Sequence, residues 1–345
     1  MIWLTWRQFR PQAVISLAAL AAFAILLGAT GPHLASMYAT SGIAGCHGTG
    51  GCSYVVSSFL GLLSGFYTLV FMLGIAGVIL APAVIGVFWG APLIAREFET
   101  GTFRLAWTQS ITRARWLASK LALPGLAAMA VTEGLSLMYG WWAAPIGQAA
   151  RFANNSNFPL GMSPYSLLAF DAHGVVPLGY AAFGFALGVT AGVLIRRTLP
   201  AMALTLAIFA AVQVAMPLAI RPSLFPPAHM TQSLAANFSG QQSAGPGGTF
   251  GLTLDYIDSE PGAWIFSSGA VNAAGQPVSL MPAACVNAHT GDPNQCLASH
   301  GIRIAVSYLP TSRYWPIQLT ETGIYLALAL VLAGFSYWRL GRRLP

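Results

Sequence analysis

Residues 96–120 contain seven of the 25 charged residues in this 345-residue sequence. Two acidic and five basic side chains are interleaved there with tryptophans, and long apolar runs flank the segment on both sides. Arg104, Trp107 and Ile111 are spaced by three and four residues, which places them on one face of a helix. Such a face makes ion pairs and stacking contacts with a partner, so we predict a docking surface here rather than a solvated connecting loop.

The sequence lacks the motifs of common catalytic sites. It contains no Gly-x-x-x-x-Gly-Lys-Ser/Thr loop that would hold nucleotide phosphates and no His-Glu-x-x-His zinc motif. No histidine lies deep in an apolar run, and the polar residues there form no Ser/His or paired-carboxylate constellation. We therefore expect a chain that is not an enzyme and that holds no metal or cofactor of its own.

Glu133 is an ionisable residue near the middle of an apolar run. A charged side chain at the centre of a bilayer costs about 2.5–3.5 kcal/mol on insertion scales, so this position predicts either a proton or cation site or a hydrogen-bonded helix lock. The partners for a lock would be Thr132, Ser136 or a neighbouring helix. Because the sequence suggests no second charge inside the apolar runs, the lock is favoured. Glu321, at the start of the last run, is predicted to lie at the membrane interface.

The composition identifies lipid as the surrounding solvent. Charged residues make up 7% and hydrophobic residues 56% of the chain, against about 25% and 45–50% in soluble domains. A membrane-spanning helix needs ~20 mostly apolar residues. Six runs satisfy this length, at about 11–30, 58–90, 121–143, 173–195, 199–220 and 317–338. The predicted fold is an all-α polytopic membrane protein with six transmembrane helices.

The second run exceeds the length that a bilayer requires. A continuous helix over 59–94 would measure ~54 Å, at ~1.5 Å per residue. We expect a kink at Pro82 and Pro92, or a helix whose inner end projects from the membrane and carries residues 96–120 with it.

The remaining segments complete the domain plan. Residues 1–220 form the transmembrane domain, in which residues 1–10 are predicted to be an amphipathic helix on the membrane surface. Residues 221–316 are rich in Gly, Ser, Asn and Pro and form a small, irregular, partly β extracytoplasmic domain. Residues 317–345 supply the sixth span and a basic tail. The strand-like pieces in the extracytoplasmic domain are 249–256, 262–266 and 301–309.

Charge and cysteine positions agree on orientation. If six spans alternate, one side of the membrane receives most of the Lys and Arg residues: those of both termini, of 96–120 and of Arg196–Arg197. The loops on the other side, 31–57 and 144–172, contain one such residue, Arg151. The positive-inside rule then places both termini in the cytoplasm. All four cysteines fall on the opposite, oxidising side, where disulfides persist. Local pairs Cys46–Cys52 and Cys285–Cys296 are the simplest connectivity, and a zinc site at Cys46, His47 and Cys52 is the less favoured alternative.

Glycines recur at four-residue spacing inside the spans, which lets helix backbones approach closely in lipid. These glycines are expected to serve packing within one bundle in preference to a specific dimer contact. The sets are Gly61 with Gly65, Gly86 with Gly90, and Gly184, Gly188 and Gly192.

The docking segment resembles the signature of a transporter family. Glu97-x-Glu99-x-Gly101-Thr102-x-x-Leu105, followed by Ser110-Ile-Thr112-Arg113 and Lys120, is similar to the motif between spans two and three of ABC-2 type transport permeases. The family commonly has proline where Gln109 stands and an aliphatic pair in place of Ala106-Trp107. The opening Trp-Arg-Gln-Phe-Arg and the run from Ser312 to Glu321 resemble an actinobacterial branch of these ABC exporter permeases.

This resemblance implies an export subunit in the bacterial plasma membrane that moves a hydrophobic or amphipathic substrate outward. It implies partnership with a cytoplasmic ABC ATPase, in two copies, which binds ATP and Mg, and with a second copy of this permease or a homologous one. Besides the lipid membrane, no nucleic-acid partner is expected. The residues expected to couple to the ATPase are Glu97, Glu99, Gly101, Thr102, Arg104, Leu105, Trp107 and Arg113.

Two alternatives to an ATP-driven permease remain at the level of the sequence. One is an autonomous proton-coupled carrier that uses Glu133. The other is a non-transporting membrane sensor or scaffold, in which residues 221–316 sense a signal and residues 96–120 pass it on.

Overall fold

The computed structural model describes residues 2–46, 52–102, 112–152, 159–160, 166–234, 240–244, 250–254, 262–282, 285 and 293–342. Among them, six helices are long and apolar enough to cross a membrane, which confirms the predicted fold class. The spans are Phe9–Thr40, Phe66–Thr100, Arg115–Ala150, Val176–Ile195, Thr198–Ser223 and Thr311–Gly341.

The helices are numbered in chain order. They are α1 (Ile2–Thr40), α2 (Cys52–Leu62), α3 (Phe66–Ile85), α4 (Ala91–Thr100), α5 (Arg113–Ala150), α6 (Leu167–Ala172), α7 (Val176–Ile195), α8 (Thr198–Ala215), α9 (Pro293–Ser299) and α10 (Tyr314–Arg342). Residues 2–10 are the first turns of α1, which continues through Pro11. Phe9 in these turns packs edge-to-face on Trp89, with ring centroids 4.8 Å apart. The location of these turns on a membrane surface stays a prediction.

The long second run is divided in two places. Gly65 has a φ of 76°, a left-handed conformation that favours glycine, and it separates α2 from α3. A π-helical turn, Gly86–Gly90, joins α3 to α4 between the two prolines of the run. The helical path Phe66–Thr100 has 35 residues and a length of ~52 Å, at ~1.5 Å per residue. It is therefore longer than the ~30 Å hydrocarbon core.

Helix α7 is the centre of the bundle. It is buried along most of its length and contacts α3, α4, α5, α8 and α10. A Cβ atom built on Gly86 would lie 2.5 Å from the Gly184 carbonyl oxygen, and one on Gly192 would lie 2.8 Å from the Ala91 oxygen. Only glycine allows the backbones of α3–α4 and α7 to come this close. The predicted intramolecular role of these glycines is confirmed.

The first glycine pair is not a packing pair in the part of the chain that the structure describes. A Cβ atom on Gly61 or Gly65 would meet no described atom within 4 Å.

Helix α1 lies at the edge of the bundle, where it packs chiefly against α5.

The region between α8 and α10 contains five strands among the described residues: β1 (Ala228–Ser233), β2 (Gly240–Ala244), β3 (Phe250–Leu254), β4 (Trp264–Val271) and β5 (Arg303–Leu309). Strands β1, β5 and β4 form an antiparallel sheet in that order, and β2 pairs with β3. The three predicted strand regions correspond to β3, β4 and β5. The polar strands β1 and β2 were not predicted.

The two predicted disulfide pairs are confirmed. Cys46–Cys52 connects the chain after α1 to the start of α2, and Cys285–Cys296 joins α9 to the segment that follows β4. Leu309 and Trp264 pack in the same apolar cluster as Val176 and Ile317 of the bundle. The sheet is therefore attached to the ends of the spans through a shared core.

Candidate coupling site

The Gly-Thr pair of the family-like motif forms the end of helix α4. The helix ends at Thr100, and Gly101 follows it with a φ of 69°. Glycine is the residue that adopts this left-handed conformation at a helix end without strain. The Thr100 hydroxyl donates to the Arg96 carbonyl oxygen at 2.9 Å and lies 3.0 Å from the Thr102 hydroxyl. The motif therefore sets the direction in which the chain leaves α4.

Glu97 connects α4 to α5. Its carboxylate forms an ion pair with the ammonium group of Lys120, and both side chains are largely shielded from solvent. The ammonium group also lies 5.3 Å from the centre of the Trp116 ring. Removal of one partner of a buried ion pair costs about 3–5 kcal/mol because the other charge stays buried. This pair holds the two ends of the intervening segment together.

Glu99 connects α4 to α8. One carboxylate oxygen accepts a hydrogen bond from the Thr198 backbone N–H at 2.9 Å, and the other accepts from the Thr198 hydroxyl at 2.6 Å. Thr198 is the first residue of α8. A carboxylate at this position satisfies a backbone donor and complements the positive end of the helix dipole. Glu99 is thus an N-terminal cap for another span.

The segment between α4 and α5, called the coupling segment from here on, is held at both ends. Helix α5 begins at Arg113, and the Thr112 hydroxyl caps it by accepting from the Arg115 N–H at 3.3 Å. Arg104, Leu105 and Trp107 lie outside the described residues. The structure brings Glu97, Glu99, Gly101 and Thr102 to one end of the bundle, where Glu97 ties α4 to α5 and Glu99 ties α4 to α8.

A cavity of about 300 Å³ lies beside the end of α4. Its walls come from the start of α1, from the end of the second span that includes α4, and from Pro124 of α5. It is lined by Phe9, Gln12, Phe88, Trp89, Pro92, Leu93, Arg96, Glu97, Thr100, Thr102 and Pro124.

Glu133 lies on α5, away from the coupling segment. Its buried Oε2 atom has no hydrogen-bond partner among the described residues, and neither does the Thr132 hydroxyl. Ser136 instead lies 3.3 Å from the carbonyl oxygens of Ala172 and Gly174. The described contacts therefore do not include the hydrogen bonds to Thr132 or Ser136 that a helix lock would use.

The sequence did not predict a buried charged cluster at the opposite end of the bundle. Arg221, in the turn after α8, pairs with Asp171 on α6 and with Glu321 on α10. The Arg221 Nε and Nη2 atoms each lie 3.0 Å from a Glu321 oxygen. Glu321 is fully buried, so ion pairing inside the protein replaces contact with water, and its depth at the membrane interface stays a prediction.

Two aromatic residues contact the charged cluster. The Tyr180 hydroxyl lies 3.0 Å from Asp171 Oδ1 and 2.9 Å from Glu321 Oε1. The guanidinium group of Arg221 lies 4.1 Å from the centre of the Phe170 ring. Burial raises the pKa of Asp171, and Arg221 opposes this effect. Asp171, Arg221 and Glu321 each lie next to the end of a predicted span, in a chain with few charges. This placement is the sequence signal that would have suggested the pairing.

A family model described as ABC-2 membrane transporter related matches residues 17–221. No curated protein and no solved structure matches the chain. The matched region contains the second, third and fourth spans, most of the first and fifth, and the segment between α4 and α5 with the helix ends that hold it.

Proposed function

Because the chain belongs to the ABC-2 membrane transporter related family, we propose that it is the permease subunit of an ABC exporter. In this role it moves a hydrophobic or amphipathic substrate outward, driven by ATP hydrolysis on a separate subunit. ATP and Mg are held by that ATPase. Two ATPase copies act on a pair of permeases, formed by a second copy of this chain or by a homologue.

The attachment of the coupling segment is the observation that carries this proposal. The segment is bounded by Thr102 and Thr112, and its ends are tied to α4, α5 and α8 by Glu97 and Glu99. A partner that moves the segment therefore displaces three spans together. Rigid-body displacement of packed elements is one of the known ways in which a change at one surface rearranges a protein.

The side chains inside the segment are proposed to contact the ATPase. Glu97 and Glu99 already have partners within the chain, so we assign them to the frame of the segment. Arg104, Leu105, Trp107 and Arg113 are the proposed contacts. The basic and aromatic members of this set are suited to an acidic, partly apolar cleft.

The test is ATP hydrolysis by the cognate ATPase, which is identified from the neighbouring gene and reconstituted with this chain in nanodiscs. We expect Arg104→Ala combined with Trp107→Ala to reduce permease-stimulated hydrolysis at least tenfold, because the two anchors are the kind of residue that dominates interfaces. Arg303→Ala, on the exposed side of β5, is the matched control and should leave stimulation unchanged. Full stimulation in the double variant would contradict the assignment of the coupling segment.

The proton-coupled alternative rests on Glu133, whose buried oxygen has no partner among the described residues. One additional variant, Glu133→Gln, distinguishes the proton-coupled carrier from the ABC permease in the same preparation. An ABC permease requires ATP for transport and retains ATPase stimulation in Glu133→Gln. Transport by the chain without the ATPase, abolished by Glu133→Gln, would instead establish the carrier.

A further inference from the structure

A cavity of about 380 Å³ lies at the end of the bundle that carries the sheets, opposite the coupling segment. Residues of α5, the segment around α6 and the start of α10 form its walls, and Gly262 of the chain before β4 also lines it. This volume falls within the range of ~300–1,000 Å³ that small-molecule sites occupy. The cavity is therefore large enough for a ligand.

Most of the cavity wall is apolar. Phe71, Ile146 and Leu160 are buried side chains that line it, together with small residues of α5. Trp315 also lines it and is 57% exposed. This wall is suited to the apolar part of an amphipathic molecule, because binding there removes the apolar surface of the ligand from water. The exposed Trp315 ring adds an aromatic surface on which the ligand can pack.

Arg151 places a positive charge in this wall. The residue follows the last turn of α5, and its methylene groups pack on Gly262: a Cβ atom built there would lie 3.1 Å from Arg151 Cγ. Arg151 forms no ion pair with any described residue. A guanidinium group beside an apolar cavity is the complement of a carboxylate, phosphate or sulfate group, which it binds through paired hydrogen bonds.

His173 adds a hydrogen-bond acceptor. Its Nδ1 atom lies 2.7 Å from the Ala169 carbonyl oxygen, and because a carbonyl only accepts, Nδ1 carries the hydrogen. Burial lowers the pKa of His173, which favours the neutral ring. The other nitrogen, Nε2, then accepts, and no described group donates to it. The neutral ring adds no charge to the cavity, so its positive charge comes from Arg151.

We propose that this cavity binds an anionic amphiphile, with the acidic group on Arg151 and the apolar body between α5 and the start of α10. The chemistry is shared by a free single-chain acid and by an acidic membrane lipid. The site is independent of the coupling segment, so it stands whether or not the chain works with an ATPase.

The test is equilibrium binding to the purified full-length chain, measured by native mass spectrometry. Dodecanoate is the probe and dodecanol its uncharged match. We expect one dodecanoate to bind saturably, and Arg151→Gln to weaken that binding roughly tenfold through loss of charge-assisted hydrogen bonds. Dodecanol binding should not change in Arg151→Gln, and Arg303→Gln is the control for surface charge. Equal affinity of the wild-type chain for both probes would overturn the anionic assignment.

A second variant tests the cavity without changing charge. Gly147 lines the cavity, and a Cβ atom there would meet no described atom within 4 Å, so Gly147→Leu is accommodated and fills the space. Gly134→Leu, also open and on the same helix, is the matched control. We expect Gly147→Leu to abolish binding of both probes and Gly134→Leu to preserve it. Undiminished dodecanoate binding in Gly147→Leu would refute the site.

Phosphatidylglycerol in a third arm identifies the natural source. If Gly147→Leu and Arg151→Gln each reduce its binding, the site takes an acidic membrane lipid. If only dodecanoate responds to both changes, the site takes a free amphiphile. If neither Gly147→Leu nor Arg151→Gln reduces the binding of dodecanoate or of phosphatidylglycerol, the proposal is overturned.

Discussion

Charged side chains in this bundle act in pairs that connect separate helices. Arg221, Asp171 and Glu321 join the turn after α8 to α6 and α10, and Glu97 with Lys120 joins α4 to α5. A single unpaired charge in lipid is costly, and in these five residues the cost is offset by pairing within the protein. The sequence indicates the cost at each position but not which partner offsets it.

Arg221→Met tests the charged cluster. The substitution leaves two carboxyl groups buried without their cation, and we expect it to lower the free energy of unfolding by about 3–5 kcal/mol. The measurement is chemical unfolding of the purified chain in mixed micelles. Arg303→Met, on an exposed part of β5, should change stability by less than about 0.5 kcal/mol. If the two variants were equally stable, the cluster would not contribute to the fold.

At the scale of helices, the glycines of α7 fix its distance from the second span. A Cβ atom on Gly188 would lie 2.8 Å from the Ala91 nitrogen and 3.0 Å from Gly90 Cα. These contacts involve backbone atoms, which cannot move as a flexible side chain does. Any larger residue must therefore separate α7 from α4, the helix that carries the coupling motif.

Gly188→Ala is expected to destabilise the chain by about 1–3 kcal/mol through overpacking. Gly323→Ala on α10 is the matched control, because a Cβ there meets no described atom within 4 Å. In that control the better helix propensity of alanine should leave stability unchanged or raise it by up to about 1 kcal/mol. Thermal unfolding of both variants in detergent measures the difference. A Gly188→Ala chain as stable as Gly323→Ala would show that the helices are not in close contact.

The elements differ in how well the sequence predicted them, for physical reasons. The spans are predictable because length and apolarity are properties of a single segment. Strand β1 alternates half-buried and exposed residues with little apolar content, so its place beside β5 depends on a partner about 75 residues away in sequence. The role of Glu99 is similar: the motif marks the residue, but its contact with Thr198 arises only when α4 and α8 pack side by side.

At the scale of the whole molecule, the two ends of the bundle have different chemistry. One end carries the coupling frame, and the other carries both disulfides, the sheets, the charged cluster and the larger cavity. The positive-inside rule assigns the coupling end to the cytoplasm and the disulfide end to the outside. We propose that orientation, with both termini in the cytoplasm of a bacterial cell.

Thiol labelling tests the orientation with little background, because all four native cysteines are disulfide-bonded. Thr102→Cys and Ser233→Cys each introduce one free thiol at an exposed position, at the coupling end and at the end of β1 respectively. In right-side-out membrane vesicles, a membrane-impermeant maleimide should label Ser233→Cys at once and Thr102→Cys only after permeabilisation. The reverse pattern would invert the topology and place the coupling segment beyond the reach of a cytoplasmic ATPase. Because the orientation and the coupling role require each other, this experiment constrains both.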